Sequence, residues 1–284
     1  MNPLSDRQQE LITALKEITT YGSEQLSKIQ ISPRKTSVKK YTLFTTMIAV
    51  QSYTEAILKL MQPDSIYDKA AEVLMRSIIE AYINLDYIYS NRTKNATLFA
   101  ITSEVERIDF AKKHQALWRK YPDWKLTFGK VQKPEDWDIV IDDKMKQIQY
   151  VEKKYNISVS KLPNLFDRAV AFDTKYKSNT KLSKNTLNRR LETRSHEKYY
   201  ILFYRYFSWV AHLTAPGLER FFRVDKTGVI WLDIDGKPED IERVIPVAYG
   251  LYMAILALYL RQFNIYDKVS FEGFKSMAKS MTNK

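Results

Sequence analysis

Two stretches of this chain are apolar on nearly every helical face. The first is AEVLMRSIIEAYINLDYIY (residues 71–89) and the second is KYYILFYRYFSWVAHLTAPG (198–217). A helix that is hydrophobic all round must be surrounded by protein. Two such rods in one chain demand a bundle whose other helices cover them. The rest of the sequence agrees. Only seven of 284 residues are glycine, which leaves few positions for tight turns and phosphate-cradling loops. No G-x-G-x-x-G or P-loop pattern occurs, so dinucleotide enzymes and P-loop NTPases are excluded. The absence of cysteine removes disulfides, thiolate metal sites and cysteine nucleophiles.

Amphipathic spacing predicts helices over residues 5–30, 41–61, 66–89, 98–120 and 134–155, then 197–214, 238–263 and a short one from about 271. The alternating stretch FFRVDKTGVIWLDIDG predicts one small hairpin. The expected fold is therefore all-α, a helical bundle with insertions and one β-hairpin. It is read as a single domain, with N-terminal helices over 1–62, a bundle core over 63–120 and 197–284, and a charged insertion over 121–196. The segment Val244–Leu260 has seventeen uncharged residues, the lower limit for crossing a bilayer. Its proline, glycine and three tyrosines favour a buried core helix over a membrane span. The N-terminus lacks a signal-peptide apolar core, so a cytoplasmic location is expected.

The polar interruptions of the two apolar rods are the candidate site. Arg76 and Glu80 lie one turn apart on one face of the first. The plain reading is a helical ion pair worth a few tenths of a kcal/mol; the apolar surroundings suggest a buried role that needs compensation. On the second rod, Arg205, Ser208 and His212 fall within roughly 60° of one another, bordered by Tyr204. The plain reading of His212 is a core histidine at the end of its own helix. Laid together, the stripes would join Arg76, Glu80, Tyr204, Arg205, Ser208 and His212. Two guanidiniums suit a phosphate, and a histidine suits proton transfer near neutral pH. One His and one Glu are too few for a closed metal site, so neither metal nor cofactor is expected. His114, in KKHQALWRK, is expected to be solvated, and His196, in TRSHEK, to lie at the surface.

The charge is also localised. Of a formal net +12, seven units fall between Lys161 and Arg205, where eleven Lys and Arg face four Asp and Glu. Lys175, Lys177, Lys181, Lys184, Arg189 and Arg190 are candidate nucleic-acid contacts. The competing reading is a solvated loop.

The R-x6-H spacing of Arg205 and His212 resembles the signature of the HEPN (higher eukaryotes and prokaryotes nucleotide-binding) helical superfamily. Many of its members are dimeric, metal-independent ribonucleases of defence and toxin systems. The R-x3-E helix (Arg76, Glu80) and the Y-x3-S-x3-H helix (Tyr204, Ser208, His212) further resemble the bacterial domain-of-unknown-function family 5677. A departure stands at Tyr206, where a polar residue usually follows the motif arginine. The resemblance implies an endoribonuclease, a hydrolase acting on RNA phosphodiesters through Arg205 and His212. It also implies a homodimer and an antitoxin or defence partner. The alternative is a non-catalytic helical nucleotide- or nucleic-acid-binding scaffold, in which the polar stripe is a buried structural network.

Overall fold

The computed structural model describes residues 4–32, 35–62, 65–90, 94–121, 133–159, 163–177, 195–211, 222–224, 226–227, 230–232 and 236–282. The fold is all-α. Ten α-helices are described: α1 (Asp6–Ser27), α2 (Val38–Leu60), α3 (Asp68–Ser90), α4 (Lys94–Lys120), α5 (Asp136–Tyr155), α6 (Leu165–Lys177), α7 (His196–Tyr199), α8 (Arg205–Ala211), α9 (Pro238–Gln262) and α10 (Lys268–Thr282). A π-helical turn, Tyr200–Tyr204, joins α7 to α8. The predicted hairpin is present as β3 (Phe222–Val224) and β4 (Ile230–Leu232), paired Phe222 to Leu232. A second, shorter ladder, β1 (Met61–Gln62) with β2 (Ser65–Ile66), turns the chain between α2 and α3.

The chain divides into two compact units, residues 1–87 with 165–284, and residues 88–164. In the first, α1, α2 and α9 pack on one another, and α10 packs on α9 and α1. α1 starts at a capping box, in which Ser5 and Gln8 exchange side-chain and backbone hydrogen bonds. Ser37 caps α2. α9 is long and apolar enough by composition to cross a membrane. Here its buried face, from Ile241 through Tyr252 to Leu260, is packed in the bundle. The packing is close enough to select glycine: a Cβ on Gly22 of α1 would lie 1.8 Å from Oη of Tyr252. That hydroxyl donates to Gln51 of α2, whose amide donates to the Thr19 carbonyl at 3.0 Å. Burial first, and Glu55 second, push the Tyr252 phenol well above its usual range.

The second unit is built on α4 and α5. Ala111, Trp118, Trp137 and Ile141 form one apolar cluster, and Leu98, Ile101 and Val151 another. α5 ends at Asn156, whose φ of 49° is the left-handed conformation asparagine tolerates. His114, expected in solvent, is buried here. Its Nδ1 accepts a hydrogen bond from Trp137 Nε1 at 3.0 Å, among the rings of Phe110, Trp118 and Trp137. Burial is tolerated because the imidazole is hydrogen-bonded within its aromatic cage.

α6 is a helix where the sequence suggested only short apolar patches. Its buried positions include Ala169 and Asp173, and it packs on α7.

Candidate functional site

Of the polar stripes, Arg76 of α3 meets Tyr204, the residue that borders the stripe of the π–α8 segment; neither Arg205 nor Ser208 touches α3 among the described contacts. Nη2 of Arg76 donates to Oη of Tyr204 at 3.1 Å. The guanidinium carbon also stands 5.0 Å from the centroid of the Tyr204 ring, within cation–π range. Tyr204 stacks on Tyr200, one turn earlier, at 5.0 Å and 20°. Tyr200 in turn meets Phe166 of α6 at 5.1 Å.

Arg76 is half-buried and short of partners. Among the described residues no carboxylate pairs with it, and its buried Nε donates to no acceptor. Glu80, one turn along α3, is half-buried as well and makes no ion pair with Arg76. The guanidinium turns instead to the phenol on the other helix.

The π turn sits directly before Arg205, whose backbone N–H bonds to the Tyr200 carbonyl five residues back. Such single turns recur at functional sites because they shift the register of the side chains around them. Arg205 projects into solvent and Ser208 is half-buried. Neither side chain is engaged by another described residue. His212, Lys181, Lys184, Arg189 and Arg190 lie outside the described residues. Lys175 is exposed on α6, and Lys177 is the last residue of that helix.

The sequence missed a second polar cluster at the start of the same rod. His196, expected at the surface, is 0% exposed. Its ring is stacked on Tyr82 at 4.6 Å and packed against Phe172 at 3.8 Å. Its Nε2 lies 2.6 Å from Oδ2 of Asp86. Asp173 of α6 closes the other side. It accepts from the backbone N–H of His196 at 3.0 Å and of Glu197 at 3.1 Å, and from Ser195 Oγ at 2.5 Å. Ser195 Oγ in turn accepts from Lys198 N–H at 3.0 Å. Thus two residues cap α7, one from its own chain segment and one from α6. Tyr82 and Asp86 stand one turn apart on α3, a spacing that puts them on one face. That pair was the available signal for a polar acceptor beneath an aromatic.

A third cluster joins α3 to α9. Arg243 donates to Glu72, to Asp68 at 3.1 Å and to Asp240 at 2.8 Å. Lys69 lies 3.3 Å from Asp68. Burial disfavours the Arg243 charge, but the hydrogen bonds to Glu72 and Asp240 outweigh it and hold the guanidinium above its ordinary value. For Asp240, burial raises the pKa, yet the Lys237 backbone N–H and Arg243 more than offset it, so its carboxyl is held low. Among the described residues no cluster of three or more His, Asp or Glu is arranged to hold a metal ion.

A family model described as a family of unknown function (DUF5677) matches residues 40–229. That span begins within α2 and contains Arg76, Glu80, Tyr204, Arg205, Ser208 and His212. No curated protein and no solved structure matches the chain.

Proposed function

Because the chain belongs to this family of unknown function, DUF5677, we propose an activity from the site itself: a HEPN-like, metal-independent endoribonuclease using Arg205 and His212. The observation that carries the reading is the exposed Arg205 beside the Arg76–Tyr204 contact. It is a cation that none of the described residues engages, seven positions before a histidine. His212 follows directly on Ala211, the last described residue of α8.

In the proposed reaction, His212 exchanges a proton with the RNA 2′-hydroxyl or the departing 5′-oxygen. Arg205, seconded by Arg76, stabilises negative charge on the phosphoryl oxygens as the 2′-oxygen bonds to phosphorus and the 5′-oxygen leaves. Lys175 and the basic residues beyond it hold the RNA backbone. Glu80, which makes no ion pair with Arg76, orients the histidine from α3. A two-fold dimer and a neutralising or defence partner belong to the same proposal. A second reading, a nucleic-acid-binding scaffold without cleavage, draws on the sealed cluster at His196. Its buried imidazole lies against Asp86, and Asp173 holds the start of α7 from α6, contacts that fix the segment in place.

The test is RNA cleavage by the purified chain, with and without EDTA, beside a His212→Ala variant of unchanged circular dichroism. The expected result is EDTA-resistant cleavage that the variant loses by about 100-fold or more. Equal cleavage by both proteins, or cleavage abolished by EDTA, sinks the assignment.

A further inference from the structure

The Arg76–Tyr204 contact leaves more donors than acceptors. A guanidinium carries five N–H donors and no acceptor. Here one is given to Tyr204, and the buried Nε–H is given to none of the described residues. Tyr204 Oη accepts from Arg76, and its own proton is donated to none of the described residues. Ser208 lies one turn beyond Tyr204 on the same helical row, where Cβ atoms stand about 5–6 Å apart. Its hydroxyl, too, is engaged by none of the described residues. Arg205 adds a second cation at the rim. Buried polar groups are nearly always satisfied, and an orphan calls for an explanation. Four neighbouring residues offering donors, with no described carboxylate paired to either arginine, share one explanation.

We propose that Arg76, Tyr204 and Ser208 form an anion site for the phosphoryl group of a nucleotide, with Arg205 at its open edge. The ligand class fits the donors. A phosphate supplies several acceptor oxygens, suits the planar fork of arginine and can be bound bidentately. Cation–π contact with Tyr204 keeps the guanidinium in place while the site is empty. Glu80 on the same α3 face tempers affinity by like charge toward the ligand. The choice of a nucleotide rests on the nuclease reading, whereas the site itself requires no cleavage.

The experiment is a calorimetric titration of the full chain with AMP, inorganic phosphate and adenosine at constant ionic strength. AMP has no internal phosphodiester for the proposed reaction, so binding is read apart from cleavage. AMP should bind and adenosine should not. Phosphate binding as tightly as AMP identifies the phosphoryl group alone as the ligand, and tighter AMP binding identifies a nucleotide. Arg76→Met should weaken AMP by about 10-fold or more and Tyr204→Phe by about 3- to 10-fold, the range of single and charged hydrogen bonds. Glu80→Gln should strengthen it. No binding of AMP or phosphate by the wild type overturns the proposal. So does wild-type affinity in a folded Arg76→Met variant. Should Arg76→Met fail to fold, unchanged affinity in both Tyr204→Phe and Glu80→Gln overturns it. AMP binding without RNA cleavage would leave this site standing and remove the nuclease, and cleavage without Arg76-dependent binding would do the reverse.

Discussion

Glu72 and Arg76 stand one turn apart on α3, yet the two arginines of this neighbourhood are treated in opposite ways. Arg243 reaches α3 from α9 and is met by Glu72, Asp68 and Asp240. Arg76 belongs to α3 and, among the described residues, is met by a phenol alone. Both were taken partly out of water, so both incur desolvation. In the first, opposite charges offset that loss and tie α3 to α9. In the second the loss stands, which is tolerable in a protein when a ligand restores it. The lesson is that partner chemistry, more than burial, separates an arginine that holds a fold from one that waits for an anion.

The largest effect expected from that contrast is on Arg243→Met. Glu72 is 0% exposed and would be left without its cation. Breaking a buried pair costs about 3–5 kcal/mol, and the low end applies because the Arg243 side chain is 37% exposed. Urea denaturation should show a loss of about 3 kcal/mol; a loss under about 1 kcal/mol would mean the clasp contributes little to folding. A smaller effect follows acid. The Asp240 carboxyl is held below its ordinary 3.8. Its contribution is therefore complete above that value and is lost as pH falls through the lower, folded value. The wild type should lose up to about 1 kcal/mol more than Asp240→Asn as the pH drops below that range, the scale of a part-exposed pair. Parallel stability curves for the two proteins would remove Asp240 from the clasp. The smallest effect should come from Arg76→Met. Removing a cation that has no anionic partner among the described residues should move stability by no more than about 1 kcal/mol in either direction. A loss as large as that of Arg243→Met would show Arg76 to be structural and erase the contrast.

Much of the scaffold was legible because helical periodicity is local. α1, α2, α3, α5 and α9 fall within a few residues of their expected limits, set by apolar spacing and by prolines such as Pro63. α6 escaped because its apolar positions, Phe166, Ala169 and Phe172, are interleaved with Asp167, Arg168 and Asp173. The charge there read as solvent, whereas Asp173 is turned inward to cap α7. Of the residues expected to face one another across the two rods, Arg76 meets Tyr204, which only bordered the second stripe, while Arg205 within that stripe is exposed. The π turn was not anticipated, since a one-residue shift in register leaves no periodic mark on five residues, YILFY. His114 and His196 were misjudged for a shared reason. Each lies among charged neighbours in sequence and among aromatic rings in space.

The sequence by itself determined that this protein is all-α and which polar side chains interrupt its two apolar rods. Those are properties of composition and of spacing along a helix. It overstated the burial of the second rod, where Ile201 is 45% and Leu202 52% exposed because the π–α8 segment is covered on one side only among the described residues. Tertiary structure alone decided which of those polar groups are satisfied. It paired Arg243 with three carboxylates, sealed His196 between Tyr82 and Phe172 against Asp86, and left Arg76 facing Tyr204. Compensation of a charge needs a partner within about 4 Å, and decisive partners here lie far apart in sequence, 171 residues for Arg243 and Glu72 and 128 for Arg76 and Tyr204, a relation that local pattern does not carry.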